Sequence, residues 1–362
     1  MSVTPNNLLR AEFADMQAYH VPDTTGLIKL DAMENPYAFP GALPEGLQQQ
    51  WLETLKHVEL NRYPSPQATE LKKTFQQAFS LSPKLELMFG NGSDELIQLL
   101  IMAVAKPNAS ILTVTPSFSM YKLIAEYVGV QVVEVPLQQD SFALQMDLLI
   151  EQVAKHNPAV IFLACPNNPT GTLWPKEQVE EIIKQSTGLV VIDEAYSPFA
   201  AYSLMPLVEQ YPHALMMRTL SKMGLAGLRL GWMLGDGQWM NELNKMRLPY
   251  NINALTQASA SFALQNIDVF NQQAGKICQQ REVLMDALQK IKGVEAFSSE
   301  ANFILFRVLG KTADIVHQRL LEQKIIIKNV SSNTLLENCL RVTVGSEKEN
   351  QAFIKALGIS LA

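Results

Sequence analysis

The chain has 362 residues, 48% of them hydrophobic, a formal net charge of -6 and a mean hydropathy near zero. That length accommodates a large core, with one big domain and a smaller one as the natural division. The negative balance and the lack of any basic run argue against a nucleic-acid surface, and the apolar stretches are strand-sized, well short of the roughly 20 residues of a membrane helix. The start, M-S-V-T-P-N-N-L-L-R, lacks the basic segment and apolar block of a secretory signal. Cys165, Cys278 and Cys339 are scattered without C-x-x-C spacing. They read as core thiols of a cytoplasmic protein, and no metal site is expected.

Residues 1–45 are polar and punctuated by proline, as expected of an arm lying on another surface. From Leu85 onward, short apolar runs alternate with amphipathic stretches. The runs are Leu85–Phe89, Ile111–Thr115, Val130–Pro136, Val160–Cys165, Leu189–Asp193, Leu215–Arg218 and Leu230–Leu234. Several are β-branched and apolar on both faces, which predicts strands covered by helices on two sides. Pro175–Gln185 predicts one such helix, with proline at its first position and Val179, Ile182 and Ile183 on one face. Residues 46–250 therefore predict an α/β domain with a mostly parallel seven-stranded sheet. After Pro249 the rhythm changes: a long helix is expected over Gln272–Lys290, stopped by Gly293, with Ile277, Leu284, Leu288 and Ile291 on its stripe. Strands at Phe303–Val308, Ile325–Lys328 and Cys339–Val344 and a helix at Ala313–Gln323 complete a small α+β unit over 251–362, joined by the arm.

The chemistry gathers where the strands end, which is where open α/β sheets bind ligands. F-G-N-G-S-D-E at Phe89–Glu95 puts two glycines ahead of a helix whose free N–H groups suit a phosphate; a tight turn capped by Ser93 is the plainer alternative. The third glycine of a dinucleotide fingerprint is missing. N-N-P-T-G at Asn167–Gly171 presents the Asn168 amide or is an ordinary turn. L-V-V-I-D-E-A-Y ends on Asp193, Glu194 and Tyr196. A carboxylate closing a buried strand needs a cation, such as a protonated pyridine nitrogen, or else lies in a solvated loop. R-T-L-S-K at Arg218–Lys222 supplies hydroxyls and an amine, with Arg229 behind them. Taken singly this lysine reads as a surface residue; in company with the other motifs it reads as a nucleophile.

Together these segments resemble the fold-type I aminotransferases that use pyridoxal 5'-phosphate, and among them the histidinol-phosphate aminotransferases. The second resemblance rests on K-L-D-A-M-E-N-P-Y (Lys29–Tyr37), N-R-Y-P (Asn61–Pro64), G-S-D-E (Gly92–Glu95), P-Y-N-I-N (Pro249–Asn253) and L-R-V-T-V-G-S-x-x-E-N (Leu340–Asn350). It implies that Lys222 forms the internal aldimine and shuttles a proton, and that Asp193 pairs with the pyridinium nitrogen. Asn168 and Tyr196 would bond the ring oxygen, and Phe118 would stack on the ring, with Tyr121 a second candidate for that place. The phosphate would meet Ser93, Asp94, Thr219, Ser221 and Arg229, together with Tyr63 from the other subunit of a homodimer. Arg341, Lys328, Asn35 and Tyr37 would face a phosphorylated amine and a 2-oxo acid. Lys328 stands where the family usually has arginine, and Met33 where it usually has asparagine. A threonine-phosphate decarboxylase and an aromatic amino-acid aminotransferase share this scaffold and remain alternatives. A cofactor-sensing regulator and a nicotinamide dehydrogenase fit less well, for want of a DNA-binding domain and of the glycine fingerprint respectively.

Overall fold

The computed structural model describes residues 8–10 and 23–362. After a short strand β1 (Ile28–Leu30), seven strands follow: β2 (Leu85–Asn91), β3 (Ser110–Thr115), β4 (Gln131–Pro136), β5 (Val160–Ala164), β6 (Leu189–Asp193), β7 (Ala214–Thr219) and β8 (Leu230–Asp236). They form one sheet in the order β2-β8-β7-β6-β5-β3-β4. Pairing is parallel from β4 through β7 and antiparallel only where β8 meets β7 and β2. All seven apolar runs are strands of this α/β sheet. Every residue of β5 and β6 is buried, because helices cover both faces and leave no room for the alternation of a half-wet strand.

The reversal of β8 positions the site. A parallel strand delivers its carboxyl end to the ligand edge, whereas an antiparallel one delivers its amino end. Arg229, just before β8, therefore reaches the same edge as Asp193 at the end of β6 and Thr219 at the end of β7.

A second sheet, β1-β11-β12-β10-β9, is built from β9 (Val294–Ala296), β10 (Phe303–Val308), β11 (Ile325–Asn329) and β12 (Cys339–Thr343) with β1 parallel to β11. Three element details depart from expectation. Pro175 occupies the cap position (φ -55°, ψ 139°) and the helix begins at Lys176, while Val179, Ile182 and Ile183 are buried as its stripe requires. The long helix runs Ile267–Gln289, so it starts before Gln272 and ends before Ile291. Its early start follows from packing: Phe270 joins the core of the large sheet along with Ile252, Ala260, Ala263 and Leu264. Ala274, Ile277, Leu284 and Leu288 join that of the small sheet. Core membership thus changes inside this helix rather than at Pro249, where the sequence rhythm changes.

Candidate active site

Between the sheets lies an open cleft of about 230 Å³. Ser93, Asp94, Phe118, Asn168, Asp193, Tyr196, Thr219, Ser221, Lys222 and Arg229 all line it. The residues expected around the cofactor thus converge from five separate loops, with Tyr63 as the exception.

Its floor is set by Asp193. The carboxylate is buried and accepts hydrogen bonds from the Ala195 N–H at 3.0 Å and the Tyr121 hydroxyl at 2.6 Å. Burial pushes its pKa up to about 6, and those two bonds oppose the rise. Glu194, the next residue, belongs to a different system. It takes Arg218 Nη2 at 2.6 Å and Nε at 3.0 Å, and its other oxygen accepts from the Leu204 N–H. Adjacent acids on a strand end point to opposite faces, so one faces the cleft and the other an internal cation. Sequence reading gave Asp193 a role and Glu194 none; Arg218, opening the R-T-L-S-K segment, was the available signal for Glu194.

Lys222 lies across the cleft, partly buried, with Nζ donating to the Ala32 carbonyl at 3.3 Å and standing 5.9 Å from the Tyr196 ring centre. Burial, reinforced by the positive charges of Arg341 and Arg229, lowers its pKa to about 8. An amine in that range is partly free base near neutrality, as a nucleophile requires. Burial also pushes the Tyr196 phenol upward, against the pull of Arg341 and Asn168, so it stays a hydrogen-bond donor.

The anion corner is built on close backbone approach. The Ser93–Val104 helix starts behind Gly92 with no side-chain cap bond, leaving its first N–H groups for a ligand. Ser93 is thus the first helical residue and not the cap. A Cβ on Gly231 would come within 2.5 Å of the Ser93 nitrogen, and one on Gly92 (φ +85°) within 2.7 Å of Arg229 Nη2. Only glycine lets β8 and Arg229 press against this helix end. Thr219 donates to Ser221 at 2.9 Å, and Arg229 Nη2 stands 3.8 Å from Asp94.

The small sheet forms the opposite wall. Arg341 on β12 is buried; Nη1 donates to Asn168 Oδ1 at 2.5 Å and Nη2 to the Asp31 carbonyl at 2.6 Å. Lys328 is its cross-strand partner on β11, and both line an adjoining cavity together with Met33, Phe118 and Asn168. Met33 is held at φ 53° by bonds from its N–H to Thr343 and from Asn302 to its carbonyl. Asn35 and Tyr37 are placed differently from expectation. Asn35 donates to the Met223 carbonyl and to Gln273, and accepts from the Tyr37 N–H; it braces the loop that carries Lys222. Tyr37 packs against the small-sheet core beside Lys276. Tyr63 lies outside the cleft, 81% exposed and stacked on Tyr250 at 4.6 Å. Phe118 meets the edge of Tyr121, whose hydroxyl is engaged with Asp193 rather than free to face a ligand.

Residues 25–357 match the family model of the aminotransferases of class I and II. The chain belongs to that family. It is 48% identical over 350 residues to histidinol-phosphate aminotransferase 2 of Nitrosococcus oceani, covering 96% of each chain. It is 45% identical over 360 residues to histidinol-phosphate aminotransferase 2 of Burkholderia pseudomallei, covering 99% of each. Within the class it is therefore a member of the histidinol-phosphate aminotransferase family. The structure of the histidinol-phosphate aminotransferase of Sinorhizobium meliloti in complex with pyridoxal 5'-phosphate superposes with a TM-score of 0.85, covering 98% of this chain and 97% of that one at 22% identity. The fold is that of the fold-type I aminotransferases, and the cofactor of the family is pyridoxal 5'-phosphate.

The residues present fit that cofactor. A buried carboxylate with no cationic partner among the described residues, an uncapped helix end beside a guanidinium and a depressed lysine lie around one cleft. Asp94 Oδ1 is buried there and, among the described residues, meets no hydrogen-bond donor. Among the described residues no helix is long and apolar enough to cross a membrane, and no cluster of side chains suits a metal ion.

Proposed function

We propose that this aminotransferase moves the amino group of L-histidinol phosphate to 2-oxoglutarate, yielding imidazole acetol phosphate and L-glutamate, a step of histidine biosynthesis. The observation that carries this reading is the meeting of Lys222 and Asp193 in a cleft whose outer wall bears Arg341 and Lys328 as neighbours across two strands. Cross-strand partners project from the same face, so two cations serve one end of the substrate. A phosphate carries close to two negative charges near neutrality, and a planar guanidinium also grips the carboxylates of the second substrate.

When bound, pyridoxal 5'-phosphate supplies a reactive aldehyde and a ring that draws electrons from the substrate. Lys222 Nζ would hold the cofactor at its aldehyde, and the same amine would move the proton of the substrate α-carbon. Asp193 keeps the ring nitrogen protonated, a task that requires the carboxylate ionised, above its pKa of about 6. Asn168 and Tyr196 would hold the ring oxygen, and Phe118 would pack against the ring. The N–H groups of Ser93 and Asp94, the hydroxyls of Thr219 and Ser221, and Arg229 hold the phosphate.

The working unit is a homodimer in which Tyr63 of a second subunit completes the phosphate site. In support, the exposed rings of Tyr63 and Tyr250 stack on each other, and Leu60 and Leu248, close to them in sequence, are exposed as well. Three free cysteines support action in the reducing cytoplasm. The proposed division is an arm at 1–45, of which residues 1–7 and 11–22 lie outside the described residues, a cofactor domain at 46–250 and a small α+β domain at 251–362 whose first residues, Ile252 to Phe270, pack back on the cofactor domain.

Single-turnover spectra separate the substrates. Histidinol phosphate should convert the cofactor to its amine form, and 2-oxoglutarate should restore it. Phenylalanine, tyrosine and O-phosphothreonine should react at least about tenfold more slowly, since each lacks one recognised end. Release of carbon dioxide from O-phosphothreonine with no response to histidinol phosphate would make the chain a decarboxylase instead.

A further inference from the structure

Asp193 is enclosed by groups that work against its charge: Asp94 from the Ser93–Val104 helix and Glu194 beside it in sequence both raise its pKa, as does its burial. Among the described residues one side chain donates to it, the Tyr121 hydroxyl, at 2.6 Å on Oδ2. Tyr121 comes from another element, the Met120–Val128 helix, and is wholly buried. Its ring lies flat on Phe162, 4.8 Å away at 10°, and takes the edge contact of Phe118 at 5.5 Å. Neither ring contact needs an oxygen, and a phenylalanine would keep both. The hydroxyl is therefore accounted for by the carboxylate alone. Burial and the neighbouring acid push the Tyr121 phenol well above its ordinary range, so it remains a donor at every working pH.

We propose that Tyr121 is a positioning residue whose hydroxyl fixes the Asp193 carboxylate and keeps it ionised for the ring nitrogen of the cofactor. The proposal rests on the reading of Asp193 given above, since Tyr121 touches no substrate and acts only through that carboxylate. A buried carboxylate with a single N–H donor favours its neutral form, and a neutral acid cannot hold a protonated nitrogen by charge. The tyrosine shifts that balance before any ligand arrives. Pre-organisation of this kind shows as affinity, because the cofactor need not supply the energy of ionising its own counter-ion.

The test compares full-length wild type, Tyr121→Phe, Asp193→Asn and the double variant by equilibrium dialysis. The two probes are pyridoxal 5'-phosphate and its 1-deaza analogue, in which carbon replaces the ring nitrogen. Tyr121→Phe should weaken binding of pyridoxal 5'-phosphate about tenfold, as expected for a hydrogen bond to a charged group, and of the analogue less than about twofold. The pH below which affinity for pyridoxal 5'-phosphate falls should rise by about one unit in Tyr121→Phe. In the Asp193→Asn background the tyrosine change should have no further effect. Equal losses for both probes, including a general loss of folding, would overturn the proposal in favour of a packing role, and no loss for either would overturn it outright. A wild type that does not distinguish the probes would instead remove the role assigned to Asp193.

Discussion

The floor and the rim of the cleft are held to very different degrees. On the floor, Asp193 has two donors, Asn168 is bonded to Arg341, and Thr219 is bonded to Ser221, all within one chain. On the rim, the Arg229 side chain is 52% exposed and 3.8 Å from Asp94, and outside the cleft Tyr63 lies in the open against Tyr250. The contrast follows from solvation. A charge deep in protein must find its partners within the fold, because water is not there to solvate it. A charge at the mouth keeps water until a ligand or a second subunit displaces it. On the proposed reading, the ring chemistry belongs to the single chain, whereas a second subunit completes the grip on the phosphate.

Substitutions can separate the two regions. Lys222→Ala should lower transamination by about 10³-fold or more, while non-covalent cofactor binding through the rim survives; loss of binding along with activity would break the distinction. The same amine sets a pH dependence. Its folded pKa of about 8 lies below the ordinary lysine value of 10.5, so the free-base fraction, and with it the rate of covalent cofactor uptake, should climb with pH and level off above about 8. A rate still climbing at pH 10 would contradict the depressed value. By linkage, a lysine that releases its proton more readily when folded makes the cofactor-free protein gain stability as pH rises from about 8 toward 10.5.

Arg341→Lys keeps the charge and loses the fork that reaches Asn168 and Asp31. It should raise KM for both substrates by about tenfold to a hundredfold, with a smaller change in kcat; steady-state kinetics on each substrate checks this. Tyr63→Phe should weaken cofactor binding by about threefold to tenfold without altering the substrate half-reactions at saturating cofactor. No change in affinity would show that the rim is complete without a second subunit. The smallest effect lies outside both regions. Ser346→Ala removes the capping box with Glu349 at the start of the last helix and should cost about 1 kcal/mol in denaturant unfolding, leaving cofactor affinity unchanged.

The places of these residues were readable in the sequence because each stands at or shortly after the end of an apolar run: Asp193 ends β6, Asn168 follows β5 and Lys222 follows β7; their roles came from the resemblance. Local pattern and tertiary position coincide there. Tyr121 escaped because its role depends on a helix packing beneath another strand, and nothing in P-S-F-S-M-Y distinguishes a tyrosine that stacks from one that donates. Asn35 sits in a telling motif, yet its amide is taken up by Met223 and Gln273, partners remote in sequence. Glu194 and Arg218 were both visible, but their pairing is set by the register of β6 on β7. The reversal of β8 was also beyond the periodicity, since a strand buried on both faces has the same pattern in either direction.

The most direct test of the account is to reduce the cofactor-loaded enzyme with borohydride, digest it and locate the modified peptide by mass spectrometry. A single pyridoxyl group on Lys222, lost in Lys222→Ala, is the predicted result. Modification of another lysine, or a wild-type enzyme that binds the cofactor yet carries no label after reduction, would contradict it.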